Sequence, residues 1–227
     1  MNTMNTMNTM KTLFVTAIVS GALLASAGTF AADKVEVNIT RDMASVDVMH
    51  DGKKTTITRN QDQKSTVNPD FAKTSRKCPP FCIQPGTLAP GVETIGELEV
   101  LAYLGKMNAG DASILVIDSR TPDWVKRGTI AGSVNIPWTA LNPARGADPI
   151  SISEIMVDKF GVKEMEGLWD YSDAKTLVMF CNGMWCGQSP NNILNLLKFG
   201  YPADKIKWYR GGMQDWEILG LSTVPGN

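Results

Sequence analysis

The chain has 227 residues with 22 Lys and Arg against 23 Asp and Glu, and hydrophobic residues make up 43% of it. Near-neutral charge without a basic stripe argues against a nucleic-acid partner, and this apolar content argues against disorder. The length suits one domain of ordinary size with additions at its ends.

Residues 1–9 repeat Met-Asn-Thr and read as an extension upstream of a start at Met10. Lys11, the apolar run of residues 12–27 and the small residues up to Ala32 describe a secretory signal peptide over 1–32. The run is short of the roughly 20 residues that span a bilayer. Cleavage near Ala27, Ala31 or Ala32 fits equally, and loss of Lys11 leaves 21 cations against 23 anions, a net charge of −2. The expected product is periplasmic and leaves the membrane after cleavage.

Residues 33–60 alternate apolar and polar side chains through Val35, Val37 and Ile39, then Val46 and Val48, then Ile57. Asp51-Gly52 between two such runs predicts a hairpin. This small β-hairpin or three-stranded appendage offers an edge for a homodimer, or a flap over its own domain. Its turn holds His50, the sole histidine, expected to be solvated. Residues 61–93 are polar and aperiodic and read as a linker carrying Cys78 and Cys82.

The domain proper is expected over 94–227. Thr94 and Glu97 fit a capping box, with Leu98, Leu101 and Ala102 on one helical face. Apolar runs at 114–117 and 177–180 read as buried parallel strands, with shorter strands at 134–136 and 206–209. Helical patterns fall at 151–160, from Ser189 or Pro190 to Phe199 with Ile193, Leu194, Leu197 and Phe199 inward, and at 213–219. Strands alternating with helices imply an α/β domain with a parallel sheet covered on both faces.

Cys181 ends the strand at 177–180, and residues 182–188 lead to Ser189-Pro190, an N-cap and a first-turn proline. Free amides at a helix start favour an anion and depress the pKa of a nearby thiol. Cys181 is therefore the expected nucleophile. The loop residues Asn182, Gly183, Met184, Trp185, Gly187 and Gln188 are expected to bind substrate, with Trp185 shielding the sulfur or offering an apolar face. Ligands of open α/β sheets collect at strand carboxyl ends, where Cys181, Asp118 and Arg210 all lie. Trp138, Trp208 and Trp216 read as core.

The stretches Val116-Ile117-Asp118-Ser119-Arg120, Gly128-Thr129-Ile130-Ala131-Gly132-Ser133-Val134-Asn135-Ile136-Pro137, the Cys181 loop, Gly200-Tyr201 and Tyr209-Arg210-Gly211-Gly212-Met213-Gln214-Asp215-Trp216 together resemble the rhodanese-like (sulfurtransferase) domain family over residues 94–224. The resemblance implies a five-stranded parallel sheet with helices on both faces, and a Cys181 that carries sulfane sulfur as a persulfide. It also implies a structural ion pair for Arg120, with Asp123 or another nearby acid. Three departures stand out. The loop has seven residues before Ser189 where the family's sulfurtransferases have five; it holds no Arg or Lys; and Thr129 stands where the family has His. A longer loop is similar to the phosphatase and arsenate reductase relatives, which need a cation to clamp an oxyanion.

The implied function is a periplasmic sulfurtransferase that moves sulfane sulfur from thiosulfate or a persulfide to a thiol-type acceptor. The alternatives are a thiol-disulfide oxidoreductase using Cys181 and Cys186, or a non-catalytic binding module. Cys186 fits a resolving thiol, a disulfide partner or a packed side chain. Arg210 is the candidate cation for an anionic substrate. Cys78 and Cys82 are expected to form a local disulfide. No cofactor or metal is expected, because an oxidising compartment competes for the thiols. The expected partner is a small sulfur-containing substrate or a thiol acceptor protein.

Overall fold

The structure, a computed structural model, describes residues 36–165 and 167–226. The signal-peptide reading lies outside the described residues. Among them no helix is long and apolar enough to cross a membrane.

Strands β1 (Ser45–His50) and β2 (Lys53–Thr58) pair antiparallel from Ser45↔Thr58 to His50↔Lys53. Asp51 (φ 48°) and Gly52 (φ 73°) both turn left-handed, as the tight hairpin requires. Residues 36–39 form no third strand. The hairpin's inner face puts Val48 and Ile57 into one core with Leu101, Leu104 and Ile130. The sheet is thus covered by the chain's own hairpin, the flap arrangement. His50 is not a solvated turn residue: its Nδ1 accepts from the Gly132 amide at 3.2 Å.

The main sheet comprises β3 (Glu93–Ile95), β4 (Ile114–Asp118), β5 (Val134–Asn135), β8 (Thr176–Phe180) and β9 (Ile206–Tyr209). Its order is β3-β9-β8-β4-β5, parallel throughout. Thr94 belongs to β3 rather than to a capping box; α1 (Glu97–Asn108) starts after Gly96, whose amide donates to Glu99 Oε2 at 3.0 Å. Val100, Leu101 and Leu104 form the buried face of α1, leaving Leu98 exposed. A second hairpin, β6 (Lys163–Met165) and β7 (Leu168–Asp170), was not expected from the sequence.

Side chains alternate across the strands and divide the core in two. Val116, Val178, Phe180 and Tyr209 face α1 and α5 (Gly212–Ile218), meeting Met213 and Trp216. Ile117, Leu177, Met179 and Trp208 face α3 (Pro149–Glu154) and α4 (Gln188–Lys198), meeting Ile152, Ile193 and Leu196. Leu194 of α4 points to solvent. Helix α3 continues as a π-turn over Ile155–Lys159. The short α2 (Pro122–Val125) follows β4. Ordering a strand next to a helix start at the sheet's carboxyl edge is what places the Cys181 loop.

Candidate active site

The loop from Cys181 to α4 is folded back by its neighbours. The Cys181 and Asn182 carbonyls accept from the Met213 and Gln214 amides of α5 at 2.9 and 3.0 Å. Gly212 (φ 56°) makes that approach feasible, since a Cβ there would run into the Cys181 carbonyl. Gly187, not Ser189, precedes the first turn of α4. Ser189 is instead buried within that turn, and its hydroxyl donates to Cys181 Sγ at 3.1 Å. The indole Nε1 of Trp208 donates to the same hydroxyl at 3.2 Å. Trp208 is therefore core, and it also supports the thiol from below.

Cys181 is 2% exposed. Burial pushes its thiol up, but hydrogen bonds from Cys186, the Ser189 hydroxyl and the Ser189 and Gly183 amides outweigh burial and lower it to about 7. As a thiol it donates to the Cys186 carbonyl at 3.3 Å; ionisation exchanges that contact for the surrounding donors. Burial and the adjacent Cys181 push the Cys186 thiol well up. Both cysteines are free, and Cys181 is the one of the pair that gives up its proton first.

Cys186, Asn182, Trp185, Gly187 and Gln188 line a cavity of about 350 Å³, while Cys181 sits behind that wall. Met184 and Gly183 lie off the cavity. Met184 gives its carbonyl to the Gln84 amide at 2.8 Å, and the Gly183 amide is aimed at Cys181. Trp138 is half-buried and lines this cavity instead of the core, whereas Trp216 is core as expected.

The opposite wall comes from the segment read as a linker. Residues 76–85 lie as a strap across the loop, closed on themselves by the Cys78–Cys82 disulfide. Arg76 stacks 3.6 Å from the Trp185 ring centroid, and Phe81 meets the same ring edge-on at 5.7 Å. Trp185 Nε1 in turn donates to Gln214 Oε1 at 2.8 Å, and Gln214 Nε2 donates to the Phe71 carbonyl at 2.9 Å. Arg210 is not turned toward the cavity. Its guanidinium donates to the Gln84 and Pro85 carbonyls, both at 2.8 Å, and so anchors the strap.

Arg120 is also withdrawn from the cavity. It pairs with Asp118 at 2.6 Å, both fully buried, and not with Asp123, which lies near Arg127 at 3.8 Å. Arg120 also donates to the Gly128 carbonyl at 2.6 Å and to Asn182 Oδ1 at 3.4 Å, while the Thr129 hydroxyl donates to Asp118 at 2.7 Å. A buried pair survives when its remaining donors and acceptors are met in this way. The pair props Asn182, the first residue of the loop.

The sequence model of the Rhodanese-like domain matches residues 101–219. No curated protein matches the chain. Among solved structures, the BH2092 protein from Bacillus halodurans is 17% identical over 55% of this chain and 70% of its own, with a TM-score of 0.38. A human single-domain sulfurtransferase is 18% identical over 55% and 95%, with a TM-score of 0.37. A thiosulfate sulfurtransferase from Pseudomonas aeruginosa is 18% identical over 60% of this chain and 21% of its own, with a TM-score of 0.37.

Proposed function

The chain belongs to the rhodanese-like domain family, and from that premise we propose that it is a sulfurtransferase working through a Cys181 persulfide in the periplasm. The observation that carries this reading is the setting of Cys181, a thiol lowered to about 7 by a hydroxyl and backbone amides converging on its sulfur. In the first step the Cys181 thiolate attacks the sulfane sulfur of a donor such as thiosulfate. The S–S bond of thiosulfate breaks, sulfite leaves with the bonding pair, and Cys181 holds a persulfide anion. An acceptor thiolate then takes the outer sulfur and returns Cys181 as thiolate. The Ser189 and Gly183 amides and the Ser189 hydroxyl stabilise the negative sulfur in each state. A periplasmic location is supported by the leader-like N-terminus and by the Cys78–Cys82 disulfide, which persists in oxidising compartments.

The test is intact mass after incubation with thiosulfate. The wild type gains one sulfur atom, which cyanide removes, and Cys181→Ser gains none. Loading of Cys181→Ser at the wild-type rate would sink the scheme.

The placement of Cys186 favours a second step. Its side chain lines the cavity, and its carbonyl accepts from the Cys181 thiol at 3.3 Å. The Cys186 thiol passes its proton to the outer sulfur of the Cys181 persulfide anion as its own sulfur attacks the inner one, which gives a Cys181–Cys186 disulfide and releases hydrosulfide. A dithiol reductant then restores both thiols and is itself oxidised to a disulfide. With Cys186→Ala the persulfide accumulates; if hydrosulfide release is as fast as in the wild type, this resolving step is wrong.

A further inference from the structure

The wall that the strap adds to the site is chemically unlike the loop it covers. Arg76 and Phe81 lie outside residues 101–219, so the family domain's matched residues do not by themselves build this cavity. Four aromatic side chains, Phe81, Trp124, Trp138 and Trp185, line it beside the neutral amides of Asn182, Gln188 and Asn191, and no acidic side chain contributes to it. Arg76 brings the one guanidinium of the lining. Its Nε is buried without a hydrogen-bond partner, and its Nη2 reaches only the Asp70 carbonyl at 3.3 Å. A buried donor left unmet costs about 1–3 kcal/mol, so the Arg76 guanidinium stands at the cavity short of protein acceptors for its charge. Further guanidiniums back the tryptophans: Arg127 lies 3.8 Å over Trp124 and Arg145 lies 5.3 Å over Trp138. Arg127 is already matched by Asp70 at 3.1 Å, leaving Arg76 as the cavity's own charge.

We propose that this cavity is a binding site for an organic anion, an apolar or aromatic body carrying one anionic group held by Arg76, and that the sulfur donor is a compound of this class. The proposal rests on the sulfur-transfer reading only for the word donor; the binding site stands apart from it. A volume of about 350 Å³ is at the low end of the range for organic ligands. A small inorganic dianion would leave most of the aromatic wall uncovered. It would also meet a single, partly desolvated cation where two negative charges need compensation. A monoanion with an aromatic body matches both features: its charge meets the Arg76 guanidinium, its ring stacks among the tryptophans, and its sulfur faces Cys186, behind which Cys181 lies. For an aryl thiosulfonate the loading step balances. The Cys181 thiolate takes the outer sulfur, the S–S bond breaks, and the aryl sulfinate leaves with the electron pair.

The experiment separates binding from chemistry. Benzenesulfonate, which has no sulfur to give, is titrated against the full chain by tryptophan fluorescence, with sulfate as the inorganic control. Benzenesulfonate is expected to bind at least about tenfold more tightly than sulfate. Arg76→Gln is expected to weaken it by about tenfold to a hundredfold, the range for a lost charged hydrogen bond, with Arg76→Lys between the two. Circular dichroism checks that each variant is folded; Arg76 is half-exposed on the strap, so the fold is expected to hold. Equal affinity for sulfate and benzenesulfonate, or unchanged affinity in a folded Arg76→Gln, overturns the site. Sulfur loading from benzenethiosulfonate is followed in parallel by intact mass. Binding without loading keeps the site and removes the sulfur-transfer reading. Loading that benzenesulfonate fails to inhibit keeps that reading and removes the site.

Discussion

Two cysteine pairs of nearly equal spacing meet opposite fates in this molecule. Cys78 and Cys82 are bonded to each other in the strap, on exposed and half-buried positions. Cys181 and Cys186 remain free in a buried loop. Spacing permits a bond in both places; the surroundings decide what each pair does. No helix starts beside Cys78, whereas Cys181 receives the Ser189 hydroxyl and amide at the start of α4 and the Gly183 amide of the loop. Burial makes the neutral thiol of Cys186 the better proton carrier, so the free pair divides into one anion and one acid. The bonded pair holds geometry and the free pair holds charge.

The comparison breaks most sharply at Cys181. Removing a covalent nucleophile lowers turnover by on the order of 10³-fold or more, so Cys181→Ser is expected to show that loss in the thiosulfate–cyanide assay. The double variant Cys78→Ser/Cys82→Ser is expected to keep the chemical step. Comparable losses in both would erase the division of labour.

A smaller effect is expected at Ser189. With the Cys181 thiol lowered to about 7 from an ordinary value of 9.0, the reactive thiolate is lost as pH falls through about 7 and is nearly complete by the pH where an ordinary thiol begins to ionise. Ser189→Ala removes the hydroxyl donor, which raises the folded value and shifts the rate profile to higher pH. A hydrogen bond to a charged group is worth about 1.5–3 kcal/mol, so sulfur loading at pH 7 is expected to fall about tenfold to a hundredfold and to recover at alkaline pH. Stopped-flow loading from pH 5.5 to 9.5 reads this directly. An unmoved profile would mean that the loop amides alone set the charge.

Ser189 also marks the limit of what the sequence revealed. Strand, Cys181, Ser-Pro and helix were legible because strand ends and helix starts follow from local periodicity and capping preferences. The hydroxyl's target was not. Ser189 reads as the cap, but the cap is Gly187, two residues earlier, and the first turn carries the Ser189 hydroxyl onto the sulfur. Arg210 was misread for a related reason. A cation at a strand end suggests an anionic ligand, yet here it satisfies the Gln84 and Pro85 carbonyls of an irregular strap that has no ladder to bond them. Arg76 was missed because a polar, aperiodic stretch carries no local sign of where it folds back. Its contact with Trp185 spans more than a hundred residues of chain, and only the tertiary fold reveals it. The five-stranded sheet was legible in four strands by pattern, while the three-residue β3 was hidden within an apparent capping box.

The smallest expected effect falls on the bonded pair, and it tests whether the strap belongs to the fold or to the site. For a ring as short as Cys78 to Cys82 the chain-entropy relation gives about 2 kcal/mol. That energy constrains the strap locally, because Arg76, Phe81 and Gln84 all lie within or beside the ring and touch the Cys181 loop. Opening the ring frees Arg76 before it frees the core, where Val48, Ile57 and α1 pack without the strap's help. Cys78→Ser/Cys82→Ser is therefore expected to raise KM for benzenethiosulfonate several-fold at nearly constant kcat. Its amides from 77 to 85 should exchange faster while the melting temperature barely moves. The opposite pattern, a lower melting temperature with KM unchanged, would assign the disulfide to the fold and leave the aromatic cavity indifferent to it.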